Sequence, residues 1–144
     1  MNPENKCAQL FNKDEKHEPV SISKMFELQA SLQAHLASKG RSIDYPNASF
    51  KVRVDDITRQ WRNMNMEMTE LMERLPWKEW KTYSTEELND FTSDEARLET
   101  LYEYIDVFHF FMNIGLALGI DGETFEKLYV SKNKENFDRQ ARGY

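Results

Sequence analysis

Apolar residues recur at intervals of three and four along most of the chain, and no alternation at intervals of two runs far enough to suggest a strand. The pattern predicts an all-helical protein. Its centre of gravity is the stretch from Ser93 to Gly119, where Leu98, Leu101, Tyr104, Ile105, Phe108, Phe111, Met112 and Leu118 surround a helix axis on nearly every side. A helix that is apolar all round is expected in a core. Glu99, Glu103, Asp106, His109 and Asn113 nevertheless fall at steps of three or four, which gathers them into one polar stripe on that helix, expected to be buried with the rest. Carboxylates are costly to bury without a cation, a metal ion or a dense set of donors, so the stripe marks a candidate site.

Four further segments carry helical patterning. The first helix spans about 21–39, with Ser21 or Ser23 as cap and Gly40 as stop; Met25, Leu28, Leu32 and Leu36 form its apolar stripe. Gln29 and Gln33 lie one turn apart beside that stripe, where they could border the core or sit on a solvated flank. After a loop over 41–52, a second helix from about Val54 to Leu75 points Ile57, Trp61, Met64, Met68, Leu71 and Leu75 inward, and Pro76 ends it. Its polar side carries Asn63, Glu67, Glu70 and Arg74. Ser84 with Glu87, and Thr92 with Glu95, both fit the S/T-x-x-E capping box, which predicts a short helix near 85–90 and then the central one. A last helix over about Glu123–Arg139 is expected to bury Phe125, Leu128, Tyr129 and Phe137. Residues 1–20 are expected to form an N-terminal extension, with a helical turn around Cys7, Leu10 and Phe11 and then a linker, ahead of one helical domain over 21–144.

Charge narrows the ligand. With 25 acidic and 19 basic side chains the net charge is −6, which argues against nucleic acid and anionic membranes as partners. An anionic small molecule would need a local basic cluster. Lys132, Asn136 and Arg139 provide one at i, i+4 and i+7 of the last helix, with Asn133 and Arg142 nearby, although basic groups there could equally serve the helix dipole. The lone Cys7 excludes an internal disulfide, and the longest apolar run is broken by Asp106, His109 and Asn113, so a cytoplasmic protein with no membrane span is expected.

Glu67-x-x-Glu70 and Glu103-x-x-Asp106 each set two carboxylates on one helix face, and packing those helices together would offer hard oxygen ligands from both sides. Such ligands suit Mg²⁺, with Mn²⁺ as substitute, and a divalent ion beside a basic strip is what phosphoryl chemistry requires. Two other readings stand beside this one. The carboxylates could be a solvated face, and Asp106-x-x-His109 half-matches the carboxylate-x-x-His motif of iron-binding bundles, which need that motif twice. Trp77 and Trp80, framed by Lys78 and Lys81, could stack a base and meet a phosphate, or could be core anchors with solvated lysines.

Three blocks, MEMTELMERLPWKEWK, EYIDVFHFFMN and KLYVSKNKENFDRQARGY, closely resemble the signature blocks of the all-α, dimeric-type dUTPases, within the MazG-like nucleoside triphosphate pyrophosphohydrolases. The bacteriophage dCTP/dUTP pyrophosphatase branch is the nearest in pattern. The resemblance implies a MazG-like bundle of four to five main helices, usually dimeric, that cuts dUTP or dCTP into the monophosphate and pyrophosphate with Mg²⁺. It further implies Glu67, Glu70, Glu103 and Asp106 as metal ligands, one of the first pair orienting the attacking water. Lys132, Asn136, Arg139 and Tyr144 would hold the phosphates. Gln29 and Gln33, in the L-Q-x-x-L-Q block, would read the pyrimidine, with Trp77 or Trp80 stacking on it and His109 and Asn113 bordering the nucleoside pocket. The chain departs from the pattern at Glu79, where kinetoplastid members have Trp, and at Gln33, where many strict dUTPases have Asn. Both departures are shared in kind with the phage branch.

Overall fold

Residues 19–143 are described by a computed structural model. They hold five helices and no strand: α1 (Ile22–Ser38), α2 (Phe50–Glu73), α3 (Thr85–Thr92), α4 (Asp94–Leu118) and α5 (Gly122–Ala141). The all-helical class is as the patterning predicts, while the turn expected around Cys7, Leu10 and Phe11 lies outside the described residues.

Polar caps set where the helices begin. Ser21 Oγ accepts the Lys24 N–H of α1 at 3.1 Å, and Asp121 Oδ1 accepts the Thr124 N–H of α5 at 2.8 Å. Ser84 and Glu87 form the expected reciprocal box at the start of α3. Two boundaries differ from the patterning. α2 begins at Phe50 because Ser49 Oγ accepts the Val52 N–H at 3.3 Å, a start signal that precedes the apolar rhythm. The cap of α4 is Ser93, whose Oγ accepts the Ala96 N–H at 3.3 Å, whereas Thr92 turns back to donate to the Asn89 carbonyl of α3 at 3.1 Å. At its far end α2 stops at Glu73; Leu75 N–H closes the last turn onto Met72 O at 3.1 Å, before Pro76 excludes further helix.

The described chain divides into two compact units, residues 60–111 and residues 19–59 with 112–143. In the second, α1 packs on α5. Phe26 is the anchor: its ring lies 5.4 Å from that of Phe125 and within 3.0 Å of where a side chain on Gly115 would begin. Gly122 brings the start of α5 against α1 so closely that a Cβ there would fall 2.3 Å from the Ser23 Cα, and Glu126 Oε1 accepts from the Ser23 N–H at 3.1 Å. The buried face of α1 is therefore Phe26, Gln29 and Gln33, with Leu28 and Leu32 exposed, rather than the expected stripe through Leu28 and Leu32. The two faces are neighbours on the helix, and packing on Phe125 decides between them.

In the 60–111 unit Leu98 is buried, Phe91, Tyr102 and Phe108 are half-buried, and Tyr83 meets Phe91 edge to face at 6.0 Å. Trp61, Met68, Leu75, Leu101, Tyr104, Ile105 and Phe111 are exposed, contrary to expectation, as are Leu118, Leu128, Tyr129 and Phe137 in the other unit. The polar stripe of α4 is likewise only partly covered, with Asp106 exposed and Asn113 buried. Among the described residues these apolar faces stay open to water.

Candidate active site

The residues 60–111 unit brings the acidic pairs together. Glu67 and Glu70 stand one turn apart on α2, and one oxygen from each lies within 4.8 Å of the other and of a Glu103 oxygen on α4. Partial burial and then the charges of Glu70, Asp106 and Glu103 push the Glu67 carboxyl above its ordinary value. Asp106 is thus close enough for its charge to be felt, although it is outside the tight triad. The all-oxygen donor set of Glu67, Glu70 and Glu103 suits a hard divalent ion such as Mg²⁺. His109 Nδ1 is 4.0 Å from Asp106 Oδ1, and no histidine or cysteine joins the cluster among the described residues. The nitrogen ligands that an iron bundle needs are not assembled.

Arg74 enters the same cluster. Its Nη2 lies 3.3 Å from both Glu99 Oε2 and Glu103 Oε1. The patterning puts Arg74 on the polar side of the second helix; only its approach to Glu99 and Glu103 of α4 reveals its partners.

Trp77 and Trp80 stand edge to face with ring centres 5.5 Å apart, and Trp80 is 76% exposed, so neither is a core anchor. Lys78 Nζ hovers 5.9 Å from the Trp77 ring. Lys81 is committed elsewhere, to Glu87 at 2.7 Å and to the face of Tyr83 at 4.7 Å.

In the other unit Gln29, Gln33 and Asn113 are all buried, which removes the solvated-flank reading of the glutamines. Gln29 Nε2 donates to Asn113 Oδ1 at 2.7 Å, leaving the Gln29 oxygen as acceptor. Ser42 Oγ donates to Gln33 Oε1 at 2.7 Å, leaving the Gln33 amide N–H groups as donors. Ser42 comes from the 41–49 loop, which also supplies Tyr45, whose hydroxyl donates to the buried Asp56 at 2.7 Å. Burial, and then the bond to Asp56 and its charge, hold the Tyr45 phenol well above its ordinary pKa, so it remains a donor. Arg59 pairs with the other Asp56 oxygen. Ser42, Tyr45 and Asp56 carry no sequence pattern that would have singled them out.

The basic strip lies along α5. Asn133, Asn136, Phe137, Arg139 and Gln140 line a cavity of about 430 Å³, while Lys132 is exposed and Tyr144 lies outside the described residues. Glu135 Oε1 accepts from Arg139 Nε at 3.1 Å and from Arg142 Nη2 at 2.9 Å, a carboxylate bridge absent from the expected strip. A larger cavity of about 840 Å³, walled by Phe26, Ile43, Tyr45, Arg53 and Leu116, contains none of the expected site residues.

Among the described residues, then, helices set the E-x-x-E pair of α2 beside Glu103 of the E-x-x-D pair on α4, and the comparisons with known proteins define the class as a nucleotide pyrophosphohydrolase. The chain belongs to the dUTPase family, whose model matches residues 21–126. It is 31% identical over 148 residues to the dCTP pyrophosphatase of Enterobacteria phage T4, covering 91% of this chain and 85% of that protein. A shorter match of 72 residues to the dCTP pyrophosphatase of Enterobacteria phage LZ5 is 50% identical, covering 47% of this chain and 41% of the relative. The chain is also 29% identical over 138 residues to a DNA replication protein of phage T4, covering 84% of this chain and only 34% of that protein. No solved structure matches it.

Proposed function

We propose that this protein is a Mg²⁺-dependent pyrophosphatase of deoxypyrimidine triphosphates, releasing pyrophosphate from dCTP and dUTP. The convergence of Glu67, Glu70 and Glu103 oxygens within 4.8 Å of one another carries the reading. Membership of the dUTPase family and the two phage dCTP pyrophosphatase relatives support it. Glu67, Glu70, Glu103 and Asp106 would hold the metal, which when bound offsets phosphate charge and increases the acidity of water. One of Glu67 and Glu70 would orient the attacking water; in the metal-free protein burial, and then the neighbouring carboxylates, disfavour the charged form of Glu67. Lys132, Asn136, Arg139 and Tyr144 would bind the phosphates, with Asn136 and Arg139 lining one cavity in support.

Base selection rests on Gln29 and Gln33, with Trp77 or Trp80 stacking on the ring and His109 and Asn113 beside the sugar. Gln29 presents an acceptor and Gln33 a donor, which complement the N3–H and O4 of uracil in one placement; cytosine carries donor and acceptor in the opposite positions, so reading both bases would require the amides to turn over or the base to shift. The exposed Leu128, Tyr129 and Phe137 of α5 support a homodimer in which a second copy covers them. The reaction would serve nucleotide metabolism in the cytoplasm of a phage-infected cell.

The experiment is a panel of kcat/KM values for dCTP, dUTP, dTTP and dATP, with and without EDTA, on the native protein and on Gln29→Ala. Pyrimidine turnover that EDTA abolishes, purines at least about tenfold slower, and altered selectivity in the variant are expected. Turnover indifferent to EDTA, or comparable purine turnover, would refute the reading.

A further inference from the structure

Five carboxylates, those of Glu67, Glu70, Glu99, Glu103 and Asp106, belong to the acidic patch of the 60–111 unit, and Arg74 is the cation paired with two of them. The form of that pairing is informative. A single nitrogen, Nη2, serves both Glu99 and Glu103 at 3.3 Å, beyond the usual distance of a charge-assisted bond and without the two-pronged fork that makes arginine–carboxylate pairs strong. Glu103 is the more enclosed partner, its side chain 14% exposed against 37% for Glu99. Glu99 precedes Glu103 by one helical turn, so a guanidinium that leaves Glu103 keeps a carboxylate partner without any movement of the Arg74 backbone just past the end of α2.

We propose that Arg74 is a resident counter-ion of this centre, neutralising Glu103 while no divalent ion is bound and competing with that ion for it. The proposal rests on the metal-centre reading above and adds to it a residue outside the ligand set. In the metal-free protein the guanidinium relieves part of the repulsion among the clustered carboxylates. For an incoming Mg²⁺ it is a like charge seated beside one of the ligands, so the centre binds free metal more weakly than its carboxylates alone would. Arg74 is thus a positioning residue that sets how readily the centre loads.

The two roles predict effects of opposite sign in one variant, which a merely structural arginine would not produce. The full-length chain, Arg74→Gln and Arg74→Lys are titrated with MgCl₂ in the absence of nucleotide by calorimetry, and their thermal unfolding is followed in EDTA. Metal-free Arg74→Gln should unfold a few degrees below the native protein, having lost its counter-ion. The same variant should bind Mg²⁺ roughly tenfold more tightly, the size expected for removing one charge a few ångströms from a divalent ion in a hydrated patch. Arg74→Lys, which keeps the charge, should lie close to the native protein in both measurements. A native protein that binds Mg²⁺ while Arg74→Gln binds it equally or more weakly overturns this proposal alone. Metal-free unfolding of Arg74→Gln at the native temperature does the same. A native protein that binds no Mg²⁺ overturns the metal reading and this proposal with it.

Discussion

Replacing Glu67 by Gln should make the metal-free protein more stable and the enzyme nearly inactive. The oxygens of Glu67, Glu70 and Glu103 lie within 4.8 Å of one another, and at that separation two carboxylates repel by about 0.9 kcal/mol even in a water-like dielectric. Glu67→Gln removes two such repulsions and keeps the shape, so about 1–1.5 kcal/mol of relief remains after ionic screening. For a chain of this size that corresponds to a rise in Tm of about 2–5 °C. The gain should depend on pH in a defined direction. Because the folded state holds the Glu67 proton more tightly than the unfolded chain does, the native protein has this stabilising contribution in full below the ordinary carboxyl value of 4.5 and loses it as pH rises through the elevated one. Native protein and variant should therefore melt alike near pH 4 and diverge toward pH 7. In the same variant kcat/KM for dCTP should fall by about a hundredfold or more, since a metal ligand is lost. Differential scanning calorimetry in EDTA across pH, with a pyrophosphate-release assay in Mg²⁺, tests both halves. A variant that melts below the native protein at pH 7, or that keeps its activity, refutes the electrostatic account of the cluster.

Two further expectations concern the other unit. Tyr45→Phe deletes the hydroxyl that donates to the buried Asp56 at 2.7 Å and should cost about 1.5–3 kcal/mol, a fall in Tm of about 4–9 °C by calorimetry, because the carboxylate keeps Arg59 but loses a buried donor. Arg139→Ala should lower kcat/KM for dCTP at least about tenfold while Arg142→Ala stays within about twofold. Equal small effects would mean that neither arginine binds phosphate and that both serve the end of α5, where each pairs with Glu135.

Which features were legible in the chain follows from how local their causes are. The helical class, the Ser84–Glu87 box, the Ser21 cap and the pairing of carboxylates at i and i+3 depend on residues within one turn of each other, so spacing alone declares them. The three signature blocks added the family, because they preserve those local spacings together with specific side chains. Which face of α1 turns inward is not local. Two apolar or amphipathic faces compete, and Phe26 wins through Phe125 and the missing side chain of Gly115, from elements far along the chain. Exposure on α2, α4 and α5 departs from the patterning for a related reason: periodicity says which residues would gain by leaving water, not whether other side chains cover them.

By itself, then, the sequence determined the helical class, the caps at Ser21 and Ser84, the two acidic pairs and the family, all consequences of short-range geometry. Tertiary structure alone decided that Glu103 joins Glu67 and Glu70, that Arg74 sits between Glu99 and Glu103, and that Ser42 and Asn113 orient the two glutamine amides. Charge repulsion, ion pairing and amide orientation are properties of distances between side chains, and those distances are set only when separate helices pack.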